Sequence, residues 1–278
     1  MTVTSLTERL AVCSWSLQPE SPQQLIDSLK DIGISKVQIA LDPIRTHPDV
    51  WGNVAELFRQ HGLQMVSGMM VTEGEDYSTM ESIKATGGIV PDGTWDENWK
   101  NFQANAALAQ QLGLSLVTFH AGFMPEDRND PTYKKLVDRL ILTADLLSDH
   151  GVELGLETGQ ETAAHLLEFL ESMKRDCVGA NFDPANLILY DKGDPIEALR
   201  LLGPWIKQCH IKDATKTSEP GTWGAEVATG SGEVDWAAFF RTVEEINYPG
   251  TFAIEREAGN QRLADIKTAR RHVEGVVA

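Results

Sequence analysis

Four short stretches of this chain end in a side chain that can bind a cation or move a proton: VELGLE at Glu157, VGANFD at Asp183, CHI at His210 and TFAIE at Glu255. Each reads as part of a strand, in which successive side chains point to opposite faces. In VELGLE the apolar set is Val152, Leu154 and Leu156, so Glu153, Gly155 and Glu157 share the other face. In VGANFD, Val178, Ala180 and Phe182 oppose Gly179, Asn181 and Asp183, and in TFAIE, Phe252 and Ile254 oppose Thr251, Ala253 and Glu255. The run IKQCHI is less regular, because Lys207 breaks the outer set, but its last inward position is His210. A carboxylate closing an apolar run is costly unless something neutralises it. Three of them brought together would repel and force protonation. A divalent cation removes that conflict. Three oxygens and one imidazole suit Mn²⁺ best, with Mg²⁺, Co²⁺ or Zn²⁺ as options.

The elements that must hold these residues follow one pattern along the chain. Eight strand-like runs recur: AVCSW (11–15), KVQIAL (36–41), LQMVSGMM (63–70), SLVTFH (115–120), VELGLE (152–157), VGANFD (178–183), IKQCHI (206–211) and TFAIE (251–255). Amphipathic stretches such as PQQLIDSLKDIG and YKKLVDRLILTADLLSDHG lie between them. Alternating strands and helices imply parallel pairing with right-handed crossovers. Eight units in 278 residues predict one closed (β/α)8 TIM barrel spanning 1–278, with neither a linker nor a low-complexity segment. In such a barrel the inward set converges at the mouth, since neighbouring strands lie about 4.8 Å apart. Long connections follow the third strand (71–95) and the seventh (212–233), on the face where barrel enzymes build their sites. Their glycines and tryptophans, including Gly88, Trp95, Trp223, Gly230 and Gly232, suit loops that cover a substrate.

The same alternation places further residues at the mouth. His120 ends the fourth strand facing inward and is expected to contact a substrate hydroxyl. Trp15 shares parity with Cys13 and offers an apolar wall for the carbon face of a sugar, or a core contact. Lys212 continues the inward set of His210 and is suited either to a polar substrate group or to an ion pair with the nearby acids. Arg256 falls on the outer parity and reads as a structural ion-pair partner. Gly230 and Gly232 form a lone GxG that could cradle a phosphate, a weak motif by itself.

Composition narrows the partners. The formal charge is −17, from 24 basic and 41 acidic residues, a field that repels nucleic acid. No apolar run is long enough to span a bilayer, and the opening MTVTSLTERL lacks the apolar segment of a signal peptide, so a soluble, cytoplasmic protein is expected. Cys13, Cys177 and Cys209 form no CxxC pair and read as small buried hydrophobes in a reducing compartment. Composition leaves a homo-oligomer open.

The motifs CSWSL, FHAG around His120, LETG at Glu157, FDPANL at Asp183, CHIKD at His210, GSGEVDW and IERE at Glu255 run through the whole chain. Together they resemble the xylose isomerase-like TIM barrels, in particular the sugar phosphate isomerase/epimerase group. The resemblance implies one divalent ion, commonly Mn²⁺, held by Glu157, Asp183, His210 and Glu255. It also implies a small polyhydroxy carbonyl substrate. Two positions depart from the ketose 3-epimerases of the group: Asn186 stands where a sugar-contacting His is common, and Lys216 where an Arg is common. Both are carried as substrate-binding positions, and a free ketohexose is thereby placed in doubt. The HIKD string is similar to that of some inosose dehydratases in the group.

The chemistry expected is proton transfer next to a carbonyl through a metal-stabilised enediolate, with Glu157 and Glu255 as the acid–base pair. Return of the proton to the opposite face is epimerisation, and return at the neighbouring carbon is isomerisation. Loss of a β-hydroxyl is dehydration, which makes an inosose-type dehydratase the alternative. A catalytically silent sugar-binding barrel would have no need of two glutamates. A metal-dependent apurinic endonuclease would need more metal-binding histidines than His120 and His210.

Overall fold

The computed structural model describes residues 5–219 and 221–278; Pro220, within the long 212–233 connection, lies outside them. Among the described residues there are ten strands: β1 (Leu10–Cys13), β2 (Lys36–Ala40), β3 (Gln64–Met69), β4 (Leu116–Phe119), β5 (Glu153–Glu157), β6 (Val178–Phe182), β7 (Ile206–Ile211), β8 (Asp213–Thr215), β9 (Ala225–Val227) and β10 (Phe252–Ile254). Eight of them close a barrel in the order β1-β10-β7-β6-β5-β4-β3-β2, every pairing parallel. Because the order around the barrel follows the chain, each crossover is a local one, and each strand receives a helical cover on its outer face. The predicted (β/α)8 architecture is the observed one.

The outer faces of the strands make the apolar layer. Leu154, Leu156, Val178, Ala180, Phe182, Phe252 and Ile254 are buried against the surrounding helices. Phe239 and Phe240, on the helix Trp236–Glu245, pack against Phe252 with ring centroids 6.3 and 5.6 Å away. Truncating one such aromatic to Ala costs about 3–5 kcal/mol. The interior of the barrel is polar instead. Gln38, Ser67, Thr118, Asn181 and Gln208 all point inward and are almost fully buried.

The irregular alternation of IKQCHI has a structural cause. Ala180 pairs with Ile206 and Asn181 with Gln208, so Lys207 is an extra residue at a register shift between β6 and β7. The shift lets Ile206 join the apolar face while Gln208 and His210 face inward. Lys207 reaches Glu153 at the opposite end of the barrel, Nζ to Oε1 2.6 Å.

The two long connections are structured. Residues 71–95 include the helix Met80–Thr86 and the start of the helix Asp92–Gln111. Residues 212–233 carry the antiparallel ribbon of β8 and β9. Arg139 fastens the first connection by donating to the carbonyls of Ile89 and Val90, both at 2.7 Å, while its guanidinium lies over the Trp95 ring. These contacts tie the end of the connection to the helix Pro131–Asp149.

Candidate metal centre and active site

Glu157 is the last residue of β5, Asp183 directly follows β6, His210 is next to last in β7, and Glu255 directly follows β10. One ligand atom from each lies within 4.8 Å of all the others, and all four residues are buried. His210 Nδ1 stands 3.4 Å from Asp183 Oδ2, 3.4 Å from Glu255 Oε2 and 3.7 Å from Glu157 Oε1.

Local sequence holds each member in place. Asp183 caps the helix Pro184–Leu189: Oδ1 accepts from the backbone N–H of Ala185 (2.8 Å) and of Asn186 (3.0 Å), with Pro184 at the first helical position. The Asp183 N–H donates to Thr158 Oγ1 (2.8 Å), which ties the ends of β5 and β6 together. Gly159 has φ +137°, and a Cβ there would come within 2.3 Å of Asn186 Cβ. Glycine at that point of LETG therefore lets Asn186 approach Glu157, and Asn186 Nδ2 donates to Glu157 Oε1 at 3.0 Å. Trp15, in the 3-10 turn after β1, donates from Nε1 to Glu255 Oε1 at 2.8 Å.

The residues present fit a cation. Asp183 Oδ2 and His210 Nδ1 are buried and have no hydrogen-bond partner. Both point into the cluster. His210 Nε2 lies 2.9 Å from Gln38 Oε1 and 3.0 Å from Asn181 Nδ2, so these amides engage Nε2 and Nδ1 is the nitrogen turned toward the carboxylates. Gln38 is held in turn by Gln208 Nε2, which donates to its Oε1 (2.5 Å), and by Thr118 Oγ1, which accepts from its Nε2 (2.8 Å). Cys13 lies on the Nε2 side of the ring, 3.8 Å away, and burial pushes its thiol up to about 12. Its sulfur is on the far side of the ring from the Nδ1 that faces the carboxylates.

Electrostatics follow from burial and pairing. Burial opposes the charge on Glu255, but Lys212 and His210 outweigh it and hold the carboxyl well below its ordinary value. Burial also opposes the charge on Glu157, which His120 and His210 nevertheless keep below its usual value. Asp183 goes the other way: burial raises it, and Lys212 and His210 only partly offset that. Burial works against a charged His120, yet the Glu157 carboxylate, 3.2 Å from its Nε2, carries it up to about 9.

A cavity of about 690 Å³ opens above the four residues. Glu157 and Glu255 line it, together with His120, Trp15, Asn186 and Lys212. Lys216 is not brought to the site. It is exposed just beyond β8, with its backbone N–H donating to Glu233 Oε1, because the ribbon carries that part of the chain away from the mouth. Arg256 forms the expected structural pairs, 2.8 Å from Glu226 and 2.9 Å from Asp265. Both long connections supply lining residues: Thr72, Glu75 and Tyr77 from the first, Trp223, Gly224 and Glu226 from the second. Sequence reasoning missed Gln38, although period two in KVQIAL already puts it opposite Val37 and Ile39. It also missed Glu75, Tyr190 and Glu257 on the cavity wall, for which no local pattern exists.

The model of the xylose isomerase-like TIM barrel matches residues 26–275. A xylose isomerase domain protein from Planctomyces limnophilus is 33% identical in sequence, with a TM-score of 0.83 over 90% of this chain and 91% of that one. L-ribulose 3-epimerase shares the fold at 18% identity (TM-score 0.72; 97% of this chain, 94% of that one). The probable 3-DHS dehydratase AsbF from Bacillus anthracis does so at 16% (TM-score 0.70; 96% and 98%). The uncharacterized protein YihM of Escherichia coli (strain K12) is 27% identical over 134 residues, 48% of this chain and 40% of that protein's length. With the strand-end cluster of three carboxylates and a histidine in place and the family model covering residues 26–275, this chain belongs to the xylose isomerase-like TIM barrel family.

Proposed function

We propose that the protein is a divalent-metal-dependent isomerase or epimerase of a polyhydroxy carbonyl compound, with Glu157 and Glu255 as the proton-transfer pair. The observation that carries this reading is the placement of the two glutamates. They belong to β5 and to the end of β10, separated in the barrel by β6 and β7, so they flank Asp183 and His210 from opposite sides. Glu157, Asp183, His210 and Glu255 would hold the ion, with Mn²⁺ the first choice for this oxygen-rich set. When bound, the ion supplies Lewis-acid polarisation of the substrate oxygens beside it.

The chain's own residues do the rest. Glu157 Oε1 is held by Asn186 and faces His120, so one glutamate stands ready at a fixed angle on the His120 side of the cavity. Glu255 is held on the other side by Trp15 through Oε1 and by Lys212 through Oε2 (2.7 Å). Both carboxyls are kept ionised by their cationic neighbours, the state a general base needs. His120, partly exposed at the cavity wall, is placed to donate to a substrate oxygen near Glu157. Trp15 contributes an apolar face for the substrate carbons. A proton taken by one glutamate and returned by the other inverts a centre, and its return at the adjacent carbon moves the carbonyl.

The deciding experiment is incubation of Mn²⁺-loaded protein in D₂O with ketoses, aldoses and inososes, followed by NMR. Deuterium next to the carbonyl with inverted configuration marks an epimerase, and a moved carbonyl marks an isomerase. Loss of water would transfer the assignment to a dehydratase. The absence of solvent exchange from every compound would refute the proton-transfer reading.

A further inference from the structure

The loop that looked suited to phosphate is filled from within. Asp213, the first residue of β8, is 1% exposed and directs its carboxylate into TGSG (229–232). Its Oδ2 accepts from the backbone N–H of Gly230 (2.8 Å) and Gly232 (3.2 Å) and from Trp236 Nε1 (3.1 Å). Its Oδ1 accepts from the N–H of Ala214 (2.9 Å) and Val234 (3.2 Å). Backbone N–H groups converging in this way make an anion-binding nest. Here the anion is the chain's own side chain, so close that a Cβ on Gly232 would lie 2.1 Å from Asp213 Oδ1. Neither glycine lines the cavity.

The charges of the cavity point the same way. Its lining includes Glu75, Glu226 and Glu257 besides Glu157 and Glu255, the two glutamates proposed to hold the ion, with Lys212 as the one lysine or arginine among the described lining residues. Lys212 is already engaged, with Nζ 2.7 Å from Glu255 Oε2 and 2.8 Å from Glu257 Oε2, and its side chain is 4% exposed. Glu226 is satisfied by Arg256 and by the N–H groups of Glu257 and Ala258. Glu75 hangs into the cavity from the first connection, its Oε1 accepting from Thr72 Oγ1 (2.7 Å) and the Gly88 N–H (3.0 Å). A phosphate ester entering the cavity would meet these carboxylates, with Lys212 already paired to Glu255 and Glu257 and His120 already paired to Glu157. The remaining wall is apolar or aromatic, with Met69, Met70, Tyr190 and Trp223 among its residues.

We propose that this cavity takes an uncharged polyhydroxy carbonyl compound and rejects the corresponding phosphate ester, because Asp213 occupies the loop's backbone donors and Glu257 occupies Lys212. This deepens the function proposed above and rests on it for the reacting group. Each compound of the D₂O panel is therefore paired with its phosphate ester, and kcat/KM for exchange is compared within each pair. The expected result is exchange of a free compound with its phosphate slower by about 100-fold or more, as like-charge exclusion in a partly desolvated site implies. A phosphate turned over as well as, or better than, its free partner overturns the inference while leaving the proton-transfer reading intact. If nothing exchanges, that reading fails separately, and calorimetric titration of the same pairs into Mn²⁺-loaded protein decides the charge preference. Tighter binding of the free compound supports the inference; tighter binding of the phosphate, or binding of neither, overturns it. Glu257→Gln removes one carboxylate from Lys212 and should raise the phosphate-to-free ratio about tenfold, whether read as kcat/KM or as affinity. A ratio within twofold of wild type would show that Glu257 does not exclude the anion.

Discussion

Asp183 and Asp213 are both acidic, both essentially buried and both set at strand ends on the same side of the barrel, yet their surroundings differ in kind. Every oxygen of Asp213 is used. Five donors from β8, the TGSG turn, Val234 and Trp236 surround it, and together they seat the ribbon and the following helix. Asp183 uses only Oδ1, on the first turn of its helix, and leaves Oδ2 buried without a hydrogen-bond partner beside His210 Nδ1. A buried carboxylate with its lone pairs filled builds the fold. One with an empty oxygen aimed at other ligand atoms is set up for a cation.

The largest effects should fall on the Asp183 side. Asp183→Asn, Glu157→Gln and Glu255→Gln are each expected to lower solvent exchange by about 10²–10⁴-fold, with metal content measured in parallel to separate lost ligation from lost proton transfer. Exchange that persists in both glutamate variants with the ion still bound would mean that the base lies elsewhere. Asp183→Asn should also leave the stability of the metal-free protein within about 1 kcal/mol of wild type, since no filled hydrogen-bond set is broken.

Asp213→Ala should do the reverse. Five donors lose their acceptor, and denaturant unfolding of the metal-free protein should show a loss of about 3–5 kcal/mol. A loss below 1 kcal/mol would erase the distinction between the two aspartates.

Cation removal probes the empty oxygen directly. At a hundredfold excess over Kd, a bound ion adds about 2.7 kcal/mol to the folded state. Chelation should lower the melting temperature of wild type accordingly and leave that of Asp183→Asn unchanged. An equal response in both proteins would place the ion at some other site. The smallest effect is expected beneath the ligands. Gln38→Leu removes the amide oxygen that lies 2.9 Å from His210 Nε2, and it should weaken metal affinity about 10–100-fold with little change in fold, as read by metal titration and circular dichroism.

Much of the candidate cluster was legible because a strand's side-chain period is two and is set by local backbone geometry. Four apolar half-faces in consecutive units were enough to turn Glu157, Asp183, His210 and Glu255 toward one axis. The irregular unit among these four, IKQCHI, shifts register against β6, and no period within a single strand reports a shift between two strands. Lys216 was carried over by its distance from His210 in the sequence. The ribbon that leads it to the surface forms by pairing with Ala225–Val227, a contact that spacing along one strand does not encode.

What the sequence by itself determined, then, is the barrel and the inward placement of Glu157, Asp183, His210 and Glu255, since both follow from hydrophobic periodicity and the order of elements. The tertiary structure alone decided how each polar group is used. Gln38 meets Gln208 across 170 residues of chain, Lys212 meets Glu255 across 43, and Asp213 meets Trp236 across 23. Whether a lysine is free or paired, and whether a glycine turn awaits an anion or already holds one, depends on which distant groups the closed barrel brings within hydrogen-bonding distance. Hydrogen bonds and ion pairs are short-ranged and saturable, so chain position lists the candidates and only the folded arrangement assigns the partners.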